Sequence, residues 1–154
     1  MPIRLSAALL AACLLANPAS AQTVVPALRI GQLPKPADAL QKRMAFDAFS
    51  TYRCSDCEGG KGYDSWGRHY LGLTAQYAWE DKIGGLKVGE ALSWKGREAV
   101  GGVKVVSANP VGGYQCKQLL YTMTKGGQTA TRDGQFCLSI PKTSDIPARW
   151  TEHY

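Results

Sequence analysis

Histidine is nearly missing from this chain. Only His69 and His153 occur in 154 residues, and neither stands in a pattern with a serine or spare cysteine that would build a nucleophile–base pair. Beyond residue 16 no apolar run is long enough to cross a bilayer as a helix. The net charge of +6 is not gathered into a block: Lys35, Lys42, Arg43, Lys61, Arg68, Lys82, Lys87, Lys95 and Arg97 are spread along the sequence. The basic–aromatic ladder of a nucleic-acid binder is absent, so nucleic acid is not an expected partner. The glycines after Cys57 lack the Lys-Ser/Thr ending of a phosphate loop. Asp56, Glu58, Asp64, Glu80 and Asp81 are too scattered to define a catalytic carboxylate pair. The usual carriers of hydrolytic chemistry are thus missing, and no cofactor or metal is expected.

What is present begins at the first residue. Arg4 gives a short positive start, Leu5 to Ala16 an apolar run, Asn17-Pro18 a helix break, and Ala19-Ser20-Ala21 a small-x-small cleavage pattern. Residues 1–21 therefore have the form of a secretory signal peptide, with a mature chain from Gln22. Leu10-Ala11-Ala12-Cys13 also has the form of a lipobox, and lipidation at Cys13 is the alternative processing. Only in that case is membrane association expected. Arg4 is the only charge before Gln22, so the full-chain +6 becomes +5 without that segment. Such a basic surface is ordinarily just solvated, although it can attract anionic headgroups or wall polymer weakly. Loss of Cys13 would leave Cys54, Cys57, Cys116 and Cys137, an even set suited to an oxidising compartment.

The mature length of about 133 residues fits one modest domain, for which a covalent staple matters. Residues 22–36 carry Pro26, Pro34 and Pro36 with little periodicity and read as a flexible leader. Asp38 can cap a helix over Ala39 to Phe49, where Leu40, Met44, Ala45 and Ala48 form a helical stripe widened by Phe46 and Phe49. The glycine density after Cys57 implies an irregular loop. Trp66 to Trp79 is aromatic-rich and leans to helix, with Thr74 capping a short helix that Gly84-Gly85 ends. From Gly89 onward the texture becomes strand-like. Ala91 to Lys95, Gly102 to Ser107, Tyr114 to Thr124 and Thr129 to Leu138 alternate with turns at Lys95-Gly96, Asn109 to Gly113 and Gly126-Gly127. The expected fold is α+β: an N-terminal packing helix on an antiparallel β-meander of about four strands, forming a single domain over residues 37–154.

The last hairpin permits a sharper expectation. A two-residue turn at Gly126-Gly127 pairs Cys116 with Cys137, at a non-hydrogen-bonded position where the Cα atoms approach to about 4.5 Å. A bridge there closes a loop worth about 3 kcal/mol. A bulge at Asp133-Gly134 would displace the register by one. The same register puts Leu119, Tyr121, Met123, Ala130, Phe136 and Leu138 on a core face. Cys116, Gln118, Thr122 and Thr124 lie opposite, so the bridge reads as a clasp on the polar face. Trp94 and Trp150 read as core or edge-sealing residues, and His153 as part of a fraying tail.

One resemblance follows from these marks. Gly89, Trp94, Gly102-Val103, Cys116-Lys117, Gly126 and Gly134-Gln-Phe-Cys137, followed by Trp150, resemble the C-terminal domain of the "17 kDa surface antigen" outer-membrane proteins of Gram-negative bacteria. The resemblance spans residues 89–150. It implies an exported envelope protein and carries over no catalytic residue. The glycine-zipper segment that often precedes that domain has no counterpart here, which favours a soluble periplasmic or secreted form; the expected location is exported, periplasmic or outer-membrane and surface associated.

Cys54-Ser-Asp-Cys57 is the motif with chemical potential. A C-x-x-C pair can exchange disulfides when it opens a helix. Here glycines follow it and no βαβ pattern flanks it, so a structural loop bridge competes, and four cysteines allow three connectivities. Without a second knuckle a metal site is the weaker reading. Trp66, Tyr70 and Trp79 are candidate partner-contacting residues, a glycan among the partners considered, with core packing as the alternative. The expected function is a non-enzymatic exported envelope or surface protein. It would bind cell wall, lipopolysaccharide or an outer-membrane protein; a periplasmic thiol–disulfide exchange protein using Cys54 and Cys57 is the alternative.

Overall fold

The computed structural model describes residues 30–51, 62–139 and 147–154. The signal-like segment, the Cys54-Cys57 motif and most of the leader lie outside them. The fold is α+β. A 3-10 turn (Ile30–Gln32) leads to helices α1 (Ala39–Ser50), α2 (Tyr63–Tyr70) and α3 (Ala78–Gly85). Five strands follow: β1 (Ala91–Lys95), β2 (Ala99–Val111), β3 (Tyr114–Lys125), β4 (Gln128–Ser139) and β5 (Arg149–Glu152). The sheet is antiparallel in the order β1-β2-β3-β4-β5, each strand beside its sequence neighbour. The two edges are its shortest strands, which limits the unpaired backbone offered to other chains. No helix among the described residues is long and apolar enough to cross a membrane.

Two tight hairpins organise the sheet. Gly126 and Gly127 (φ 57° and 76°) make a two-residue turn, and Lys125 pairs with Gln128. The expected register runs unbroken to Cys116 opposite Cys137, through Asp133-Gly134 without a bulge. The second hairpin departs from expectation. Asn109 to Val111 belong to β2, and Gly112-Gly113 (φ 56° and 86°) form the whole turn. Pro110 is tolerated because it sits one step beyond the hydrogen-bonded Val111–Tyr114 pair. Its missing N–H would therefore point away from β3, toward an edge that β1 does not reach. The bulge that does exist lies in β2 between Val105 and Ser107, and the extra residue, Val106, is turned out to solvent.

The helices cover one face of the sheet. The core joins Phe46, Tyr63, Trp66, Trp79 and Ile83 to Trp94, Val103, Val105, Leu119, Tyr121, Met123 and Phe136. Along β3 the inward row reads Lys117, Leu119, Tyr121, Met123, Lys125, an apolar stripe with a lysine at each end. Those lysines close helix ends. Lys117 Nζ donates to the carbonyls of Gly84 and Leu86 at the end of α3, and Lys125 Nζ donates to those of Phe49 and Thr51 at the end of α1. Cations placed there satisfy orphan carbonyls and meet the negative end of the helix dipole. Glycines give the aromatic rings room: a Cβ at Gly101 would sit 2.2 Å from Trp94, and one at Gly84 only 2.1 Å from Trp150. Trp94, Trp66 and Tyr70 form a cluster of three near-parallel rings, with centroids 5.8 Å (Trp94–Trp66), 5.5 Å (Trp94–Tyr70) and 6.2 Å (Trp66–Tyr70) apart.

Several expectations are corrected. The expected α1 stripe of Leu40 and Met44 points outward, each residue being 64% exposed. The inward face is Ala39, Phe46 and Ser50, with Arg43 and Phe49 half-buried. Arg43 turns inward because Glu152 of β5 pairs with it, a partner that hydropathy cannot reveal. Asp38 makes no side-chain cap and instead pairs with Lys42 at 2.9 Å. Thr74 does not cap the short helix; α3 starts at Ala78 after Tyr77. The meander has a fifth strand, β5, whose pairing continues past its end through the hydrogen bond from His153 N to Gln135 O.

The disulfide lies on the expected face but not in the open. Leu33, at the end of the leader, packs with Cys116, Cys137, Val111 and Tyr114 as a second small core. His153 Nε2 lies 2.9 Å from Leu33 O, so Leu33 and the C-terminal residues meet over the bridge instead of fraying. The Cα separation of 4.1 Å matches the close spacing of a non-hydrogen-bonded pair.

Candidate functional site

One concavity lies where the helices meet the last strand. Arg43 comes from α1, Asp64 from α2, Trp79 and Glu80 from α3, Tyr121 and Phe136 from the sheet, and Arg149 to Glu152 from β5. Together with Tyr77, just before α3, they enclose about 310 Å³. A neighbouring hollow of about 350 Å³ shares Arg43, Asp64 and Glu152 with it and adds Asp47, Tyr63 and Arg132. The floor is apolar and the rim is charged, as in small-molecule sites.

An ion cluster braces the rim. Arg132 is buried, only 3% of its side chain reaching solvent, and Nη2 donates to Glu152 Oε1 at 2.7 Å. Its guanidinium lies 4.0 Å from the centre of the Tyr121 ring. Arg43 joins Glu152 at 3.2 Å and tethers α1 to β5. On the other side, Arg68 Nη2 reaches both oxygens of Glu80, at 3.1 and 2.8 Å, and holds α2 to α3. Tyr63 donates its hydroxyl to the carbonyls of Gly102 and Thr122, and burial pushes its phenol pKa up, so it remains a neutral donor.

Two groups at the hollow stand apart from this bracing. Asp64 reaches solvent yet stands at the rim of both hollows, and among the described residues it makes no hydrogen bond or ion pair. Loss of water and then the charge of Glu152 push its carboxyl up to about 6, against the pull of Arg132. Arg149 places its guanidinium 3.8 Å from the centre of the Tyr77 ring and meets no carboxylate among the described residues. Tyr77 is the one non-glycine residue with positive φ (69°) among the described residues, a left-handed conformation that costs about 1–3 kcal/mol. The strain sits under the arginine.

The sequence-expected residues are distributed unevenly around this arrangement. Trp66 is fully buried and Trp79 is 2% exposed, and both fill the core, Trp66 donating Nε1–H to Ser50 O. Tyr70 is half-buried and stacked on Trp94. Of these three, only Trp79 borders the hollow, as its floor. Of the acids that looked scattered, Asp64 and Glu80 share the hollow, whereas Asp56 and Glu58 lie outside the described residues. Cys54 and Cys57 lie outside them too, while Cys116 and Cys137 are bonded to each other. His69 is exposed, with its ring against Tyr70. Among the described residues no three metal-ligating side chains converge. Arg43, Arg149 and Glu152 were missed by reasoning from sequence, whereas Tyr77 lies within the aromatic-rich stretch ending at Trp79; the one signal for the rest was an arginine beside Trp150 in a polar C-terminal stretch. No family model, curated protein or solved structure matches this chain.

Proposed function

We propose that this protein is an exported, non-enzymatic domain of the cell envelope or surface that binds a partner through the hollow beside β5. The observation that carries the reading is the buried Cys116–Cys137 bridge, because paired cysteines of this structural kind persist in oxidising compartments. The signal-like residues 1–21 and the surface-antigen-like pattern from Gly89 support it from the sequence side. The partner is an envelope component: cell wall, lipopolysaccharide or an outer-membrane protein. The binding face moves from the aromatic region expected at first to Tyr77, Arg149 and Arg43, because Trp66 and Trp79 are spent on the core.

The test starts with the full chain produced in a Gram-negative host and recovered by fractionation. Intact mass and non-reducing peptide mapping should give an N-terminus at Gln22 and a Cys116–Cys137 peptide. The recovered protein should then co-sediment with purified wall or bind lipopolysaccharide, and Arg149→Ala should weaken that binding. A chain held in the cytoplasm with both cysteines reduced would refute the reading. A lipidated Cys13 would convert it to a membrane-tethered form.

A further inference from the structure

The charges around the hollow do not balance pair by pair. Glu80 is occupied by Arg68, and Glu152 by Arg132 and Arg43. One cation and one anion are left over: Arg149, whose described contact is the Tyr77 ring, and Asp64, which has no direct partner among the described residues. They line the same hollow above Trp79 and Phe136. A simple anion there would meet Arg149 but be repelled by Asp64, Glu80 and Glu152. A divalent cation would meet the acids but be repelled by Arg149 and Arg43. A ligand carrying both signs satisfies both spare groups at once, and its body can cover the aromatic floor.

We propose that this hollow binds a small zwitterion of the amino-acid kind, its ammonium toward Asp64 and its carboxylate toward Arg149. The inference rests on the reading of the protein as a binding domain and names the ligand class of that site. The hollow's size, about 310 Å³, is at the lower end of ligand sites and suits one residue-sized molecule. The left-handed Tyr77 fits the same account. Its strain is kept where its ring fixes the Arg149 guanidinium before a ligand arrives, so less side-chain freedom is lost on binding.

Three probes of one shape test the proposal: L-phenylalanine, 3-phenylpropionate without the ammonium, and phenethylamine without the carboxylate. Each is titrated into the nitrogen-15-labelled, disulfide-intact protein while amide resonances are followed. Phenylalanine should move the amides of Tyr77, Thr151 and Glu152, and each one-charge analogue should bind about tenfold more weakly or worse. Arg149→Met and Asp64→Asn should each weaken phenylalanine about tenfold while preserving amide dispersion. Arg149→Met should leave phenethylamine binding undiminished, and Asp64→Asn should leave phenylpropionate binding undiminished. Three probes binding alike would overturn the proposal, as would phenylalanine leaving the hollow's amides unmoved up to its solubility limit. If that failure came with an oxidised, exported protein that still bound wall or lipopolysaccharide, only the zwitterion would fall. Phenylalanine binding by a chain retained in the cytoplasm would instead sink the export reading and leave the ligand class standing.

Discussion

Removing the Glu152 carboxylate should cost more than removing it together with the arginine it serves. Arg132 lies under the helices with Tyr121 and Phe46 against its guanidinium. Its strong contact is the 2.7 Å bond to Glu152; the carbonyls of Asp133 and Tyr154 are both 3.5 Å away, and Nε has no partner. Glu152→Ala would therefore strand a nearly waterless cation, and breaking a buried pair in this way costs about 3–5 kcal/mol. Methionine at position 132 keeps much of the volume and the contact with the rings. Once the cation is gone, the loss of Glu152 removes an acid that is 16% exposed and still has Arg43 at 3.2 Å. The double variant Arg132→Met/Glu152→Ala should then lose only about 1–2 kcal/mol, less than Glu152→Ala alone. Urea unfolding followed by tryptophan fluorescence reads this directly, since Trp66, Trp79 and Trp94 are buried and should report the loss of the core. With a urea slope of about 1–3 kcal/mol per molar, the single variant's midpoint should fall by about 2 M, and restoring methionine should recover over half of that. Strict additivity of the two substitutions, or a Glu152→Ala cost below about 1 kcal/mol, would refute the reasoning.

Other perturbations test other parts of the fold. Replacing Cys116 and Cys137 together by alanine should lower stability by about 3 kcal/mol, seen as a fall in thermal midpoint that reductant reproduces in the parent and this bridge cannot add to in the variant. Lys117→Met should uncap α3 and cost about 1–2 kcal/mol in urea unfolding, whereas Lys104→Met, on an exposed position of β2, should cost almost nothing. Asp64 should titrate with a midpoint near 6 in carbon-13 carboxyl spectra. Because its folded pKa lies above the reference 3.8, the folded state holds that proton more tightly, and stability falls as pH rises from about 4 through 6. Asp64→Asn should accordingly unfold at higher urea than the parent at neutral pH, with the gap closing below pH 4. A gap independent of pH would dismiss that assignment.

The hairpin was the most legible part of the chain, and the reason is arithmetic. A two-glycine turn leaves no freedom in which residue faces which, so the Cys116–Cys137 pair and the core row of Leu119, Tyr121 and Met123 followed from counting. The ending of α3 at Gly84-Gly85 was legible for a similar local reason. Helix α1 was not. Its inward side is anchored by Phe46 against Tyr63 and Tyr121, with Arg43 meeting Glu152 more than a hundred residues later, so Phe46 and Phe49 of the expected stripe face in while Leu40 and Met44 face out. Strand β5 carries four residues and only one large apolar side chain, too little alternation to register. The hollow shares this obscurity. Its groups come from six separate elements and the Tyr77 turn, and only the packing of α2 on α3 and of α3 on β5 brings Asp64 and Arg149 to one place.

The strictly sequential strand order also says how such a chain can assemble. A chain that emerges from one end, as in synthesis or in the export proposed above, never has to wait for a distant partner when every strand of its sheet pairs with its immediate predecessor. The Cys116–Cys137 crosslink falls inside a single hairpin, so it can be oxidised as soon as β3 and β4 have met. The long-range closures come afterward: Arg43 on Glu152, and Leu33 against His153. Those contacts act as a latch, joining the earliest and latest parts of the described chain. The hollow would take shape only when that latch shuts, so under the proposed function ligand binding would itself report that assembly is complete.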